Sequence, residues 1–232
     1  MKGQLIRACS VTLILLVAAS PEAFAQETGR AEVQSRGPDG TTITLGVQGR
    51  VSVPGGTVDS SIPADYCDLF KTGFGASLEG TLLWRVSPKW RLGPYLSVGL
   101  DSYDGKGDTD DFGVTLKPDS MEVTSFLVGA RALLDLGPSV QLDLHMAFGA
   151  AHYGKVDGVL SGAGAPLEVG VFKSSTAFAF DFGSRLVADA GPVFFDAGIG
   201  LRTQGAPGNA DFAFDSGPLV NFELEFGVGI RF

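Results

Sequence analysis

The sequence is short of cysteine, histidine and positive charge. Its 232 residues include two Cys and two His. Two Cys exclude a disulfide scaffold and a cysteine-based zinc site. Lys and Arg number 17 against 26 Asp and Glu, a formal charge of -9, which argues against general nucleic-acid binding. Long apolar runs are also scarce. The only one free of charge spans residues 11–19, well under the roughly 20 residues of a spanning helix. The mean hydropathy of +0.21 is too low for a helical membrane protein. Glycine, by contrast, is abundant. The chain holds 33 Gly, about twice the usual share, and Gly disfavours helix. The composition points to an all-β chain.

The N-terminus reads as an export signal. Lys2 and Arg7 form a positive region, residues 11–19 an apolar one, and Ala23-Phe24-Ala25 an A-x-A cleavage site, the three parts of a secretory signal peptide. This assigns residues 1–25 to the signal and starts the mature chain at Gln26. Residues 26–40 are polar and show neither helix nor strand period, so they read as a flexible periplasmic linker.

From residue 41 to 232 the pattern alternates with a period of two, the mark of half-buried strands. Eight segments carry it: residues 42–53, 73–86, 90–101, 122–135, 140–152, 175–189, 193–203 and 220–232. The last is the cleanest. Val220, Phe222, Leu224, Phe226, Val228, Ile230 and Phe232 oppose Asn221, Glu223, Glu225 and Arg231. The fourth is less regular, with Leu127 and Leu133 on its polar side. Connections alternate between tight turns (87–89, 137–139, 191–192) and long loops (54–72, 102–121, 153–174, 204–219). The expected fold is an all-β, eight-stranded antiparallel up-and-down transmembrane β-barrel.

Three arguments put the apolar face outside. Eight strands enclose a lumen just wide enough for side chains, and faces rich in Phe, Trp, Leu and Ile would overfill it. Lipid satisfies no backbone N–H or C=O, so a spanning sheet must close, which an even strand number allows. Trp84 and Trp90 flank one tight turn, where interfacial aromatics of a membrane barrel are expected. Pro94 breaks the pattern: it lies inside the third segment, where a bulge or a register slip is expected.

The ending Phe222-Glu-Leu-Glu-Phe226-Gly-Val-Gly-Ile230-Arg-Phe232 resembles the C-terminal signal of bacterial outer-membrane β-barrels. With the export signal and the loop alternation, the chain past residue 41 resembles the small eight-stranded, OmpA/OmpX-like barrels. That resemblance implies residence in the bacterial outer membrane, amid its lipid and lipopolysaccharide. It implies periplasmic chaperones and the barrel-assembly machinery as biogenesis partners, with Phe222, Phe226, Ile230 and Phe232 as the assembly signal. The extracellular ligand stays unnamed.

The inward face carries many charges for a narrow space. Arg50, Glu79, Arg131, His145, Asp181 and Glu225 fall near mid-height, with Arg50 expected between Glu79 and Glu225. Unpaired, each would cost several kcal/mol, so an ion network is expected, acting as a plug or a switchable gate. A second band of Arg85, Arg91, Asp135, Asp143, Arg185, Asp189 and Arg231 is expected to close the short-turn end. The acidic second loop, Asp104 to Asp119, lacks the distal Glu of a calcium-binding loop. No catalytic site, cofactor or metal site is expected. An acyl hydrolase needs a clustered nucleophile and base. A resemblance to the outer-membrane lipid deacylases of similar size, which use a His, a Ser and a Glu on the barrel surface, would imply a Ser two residues after a His. Here the residues two after His145 and His152 are Ala147 and Gly154, and Ser161 is placed only in a loop. The function expected is structural or surface-interacting, presenting four long extracellular loops. The alternative is a small gated pore, and a lipid-modifying enzyme ranks below both.

Overall fold

A computed structural model describes residues 40–59, 64–109, 113–162, 164–210 and 216–232. The expected signal peptide and almost all of the expected linker lie outside the described residues. Eight long strands follow one another: β1 (Thr41–Gly55), β2 (Gly73–Arg85), β3 (Trp90–Tyr103), β4 (Met121–Asp135), β5 (Val140–Tyr153), β6 (Ser175–Ala190), β7 (Val193–Gln204) and β8 (Leu219–Arg231). Each pairs antiparallel with its sequence neighbours, and β1 pairs with β8 to close the barrel. The closing ladder runs from Thr44 opposite Arg231 to Gly55 opposite Val220. Beyond it, Phe232 and Ile43 exchange both backbone hydrogen bonds, at 2.9 and 3.2 Å.

The expected alternation is what the strands display. In β8, Phe222, Leu224, Phe226, Val228 and Ile230 are exposed, while Asn221, Glu223 and Glu225 are buried. In β1, Ile43, Leu45 and Val47 are exposed and Thr44, Gln48, Arg50 and Ser52 are buried. A water-soluble chain buries such a face. Here a continuous apolar belt surrounds a polar interior, which is stable only when lipid covers the belt. The strands, 12 to 16 residues long, exceed the roughly 9–11 residues that cross a bilayer. No described helix is long and apolar enough to cross a membrane.

Pro94 produces neither the bulge nor the slip expected. The β2–β3 register is the same on both sides of it, with Thr81 opposite Tyr95 and Trp84 opposite Leu92. Opposite β4 it pairs in sequence with Ala130. Lacking an N–H, it interrupts the ladder without displacing it.

The long connections are not plain loops. Short strands from the second, third and fourth form one five-stranded sheet: Asp108–Thr109, Thr115–Pro118, Val156–Ser161, Leu167–Lys173 and Gly208–Asn209. The first contributes a hairpin (Thr57–Asp59 with Ala64–Asp65) and a helical turn, Tyr66–Leu69. The Tyr66 hydroxyl donates to the Gly217 carbonyl at 3.0 Å, tying the first loop to the fourth. The Lys106 N–H donates to the Leu69 carbonyl at 2.7 Å, tying the second to the first. The four connections therefore make a lid. Beneath it lies an apolar core: Tyr66, Phe70, Phe172, Tyr103, Met121 and Tyr153 are each at most 1% exposed, and the same cluster reaches down the lumen to Tyr95 and Leu127. Burial pushes the Tyr66 hydroxyl pKa up. Burial and the neighbouring Asp68 charge raise that of the Asp65 carboxyl.

Candidate functional site

All six residues expected in the lumen lie there, each at most 5% exposed. Their pairing differs from the expectation for Arg50. It does not bridge Glu79 and Glu225. Its Nε donates to Asp101 at 2.5 Å and its Nη2 to the other oxygen of Asp101 at 3.2 Å. The register explains this. On β2 the partner of Arg50 is Gly75, while Glu79 stands opposite Gly46, four residues and thus roughly 13 Å further along the strand. Any Cβ on Gly75 would collide with both Asp101 and Arg50, so the bare glycine is the passage through which β1 reaches β3. Glu225 is the ladder partner of Arg50 but turns its carboxylate to Arg185.

Two ion clusters result. In the first, Arg202 donates to Asp101 at 3.2 Å and to Asp181 at 3.0 Å, with Glu223 at 3.5 Å, so Asp101 links Arg50 and Arg202. In the second, Glu79 is the hub. It accepts from Arg131 at 2.5 Å, from Arg185 at 2.7 and 2.9 Å, and from the Tyr95 hydroxyl at 2.7 Å. Arg185 also donates to Glu225 at 2.6 Å, and Arg131 stacks over the Tyr95 ring at 4.5 Å. Asp143 faces Arg131 at 3.3 Å. Arg185 and Asp143, expected in the lower band, therefore belong to the mid-lumen plug. Glu79, Arg131 and Arg185 come from β2, β4 and β6, so their bonds cross the lumen instead of running along one ladder.

The remaining lower band is partly as expected. Arg91 pairs with Asp135, and Arg231 with Asp189 at 2.8 Å. Arg85 is exposed. Between this ring and the plug sits an apolar layer of Leu83, Leu133, Val187 and Phe194, each at most 5% exposed. The lumen is thus closed by lid core, ion plug and apolar layer in turn.

Trp84 and Trp90 are 45% and 36% exposed beside the 86–89 turn. Phe222, Phe226, Ile230 and Phe232 all face outward, 43 to 59% exposed. Sequence reasoning missed Asp101, Arg202 and Glu223 as network members. Their inward phase was readable, but which charges meet across a closed lumen depends on strand tilt and register. It also missed a contact at the loop end of the outer surface. His152 Nδ1 lies 3.0 Å from Thr176 Oγ1, and the Ser174 hydroxyl lies 3.3 Å from His152 Nε2. Ser174 precedes β6, the neighbour of β5, so no sequence spacing from His152 reveals it. Both ring nitrogens of His152 face hydroxyls.

No family model matches this chain, and no curated protein matches it. Among solved structures, Neisserial surface protein A is 15% identical, aligned over 83% of this chain and 97% of that one, with a TM-score of 0.40. The attachment invasion locus protein Ail of Yersinia pestis gives the same identity, shares and TM-score. The outer membrane enzyme PagL is 15% identical over 78% of this chain and 97% of that one, with a TM-score of 0.47. At these identities and TM-scores the likenesses say nothing of this chain's function. The closed ladder of eight strands is the architecture of the small outer-membrane barrels that the C-terminal motif resembles.

Proposed function

We propose that this chain is an integral protein of the bacterial outer membrane whose lumen is plugged and whose lid presents a binding surface to the outside. The observation that carries this reading is the three-part closure of the lumen. An open pore would need a continuous water path, which the Glu79 hub, the lid core and the Leu83–Phe194 layer each interrupt. Eight strands supply little spare width for one. Activity is then left to the surfaces: the lipid-facing belt, which meets lipid and lipopolysaccharide, and the lid. Chaperones and the barrel-assembly machinery act during biogenesis, through Phe232 and the apolar residues before it. Cell fractionation tests the location. The folded chain is expected with outer membranes, and its gel mobility is expected to change on boiling. A single mobility in the soluble fraction would contradict the proposal.

A gated pore is the second reading, favoured by the many buried charges, whose rearrangement would open a polar path. Catalysis plays no part in the proposal. The Ser174–His152 contact has Thr176 where a carboxylate would orient the base. Ester hydrolysis by the purified chain that vanishes in Ser174→Ala would overturn that reading.

A further inference from the structure

The charges inside the barrel do not balance. Four guanidiniums (Arg50, Arg131, Arg185, Arg202) face seven buried carboxylates (Glu79, Asp101, Asp143, Asp181, Asp196, Glu223, Glu225). The lower band does balance, Arg91 with Asp135 and Arg231 with Asp189. A surplus of three negative charges in a desolvated lumen is costly unless a cation or protons compensate it.

One point in the lumen gathers three side chains of metal-ligating type. His145 on β5, Asp181 on β6 and Glu225 on β8 bring a ring nitrogen and two carboxylate oxygens to within 4.8 Å of one another. His145 is 1% exposed, and neither of its ring nitrogens has a hydrogen-bond partner among the described residues. Asp181 Oδ1 likewise has none. A neutral imidazole normally donates with one nitrogen and accepts with the other. Leaving both unmet is unusual for a buried ring. Each carboxylate also holds an arginine, Asp181 through Oδ2 to Arg202 at 3.0 Å and Glu225 through Oε2 to Arg185 at 2.6 Å. Such outer partners orient metal ligands. The backbone makes the room. Gly183 is the ladder partner of both His145 and Gly200. A Cβ on Gly183 would strike the His145 ring, and one on Gly200 would come within 2.9 Å of Glu225 Oε1.

We propose that His145, Asp181 and Glu225 bind one divalent first-row transition-metal ion inside the barrel. An imidazole with two carboxylates suits zinc-like ions over magnesium or calcium, which prefer oxygen alone. Three protein ligands leave a fourth position for water. The expected absence of a metal site rested on sequence spacing, and these ligands come from three strands far apart in the chain.

The test refolds the full mature chain in detergent with zinc, removes free metal by gel filtration and measures bound metal. Cobalt in place of zinc supplies a visible absorption spectrum of the ligand field. The expected result is close to one zinc per chain and a tetrahedral cobalt spectrum. His145→Gln and Asp181→Asn should each weaken binding tenfold or more. Heat-dependent gel mobility identifies variants that still fold, and only those are compared. Folded wild-type protein that holds no zinc and gives no cobalt spectrum overturns the proposal, leaving protons to balance the lumen. So does unchanged zinc binding in a folded His145→Gln variant.

Discussion

At the scale of single residues, Glu79 holds the plug together. Its carboxylate accepts from two guanidiniums and a phenol. Removing one partner of a buried ion pair costs about 3–5 kcal/mol, because the other charge is left without compensation. Glu79→Gln takes the shared carboxylate from Arg131 and Arg185, which then keep only Asp143 and Glu225. It should lower unfolding stability by up to about that much, read by urea titration with gel mobility as the signal. A change under about 1 kcal/mol, the usual size for a surface ion pair, would mean that water already reaches the cluster. The inward phase of Glu79 and Arg131 was legible from alternation alone. The partner of Arg50 was not, because it depends on Gly75 standing opposite Arg50 and clearing the path to Asp101.

Strands and loops differ in how much of them the sequence reveals. Each strand was readable within one or two residues, since alternation repeats over a dozen positions and Gly-Pro or Ser-Pro marks the turns. The lid was not readable. Tyr66, Leu69 and Phe70 stand at i, i+3 and i+4 of a single helical turn, too short a run to read as a period. Phe172 lies in another connection, and their burial depends on the connections meeting in space. Phe172 packs against both Tyr66 and Phe70, with ring centroids 6.3 and 6.4 Å apart. Phe172→Ala should cost about 3–5 kcal/mol of packing and loosen the lid while the barrel stays intact. Limited proteolysis should then cut within residues 104–120 or 154–174 with gel mobility unchanged. Equal protease resistance in the variant would show that the lid is held by its sheet alone. β8 has a separate role as the closing strand. Deleting Phe232 removes its last paired residue, and insertion into outer membranes should fall. Normal insertion would remove the terminal motif from the account of assembly.

The described residues form a lipid-facing barrel whose lumen is filled by side chains at several heights. The apolar exterior fixes its medium, and the seal limits what the interior can do. Neither the lower apolar layer nor the excess of buried carboxylates was drawn from the alternation, since both are sums over strands and not properties of any one of them. A lumen filled in this way should pass neither ions nor small solutes. Single-channel recording of the refolded mature protein in a planar bilayer tests it directly, beside Arg50→Ala and Glu79→Ala. No conductance steps are expected in any of the three, because lid core and apolar layer persist when a plug charge is lost. Discrete steps in the wild type that grow in the two variants would contradict that expectation and make the ion network a gate.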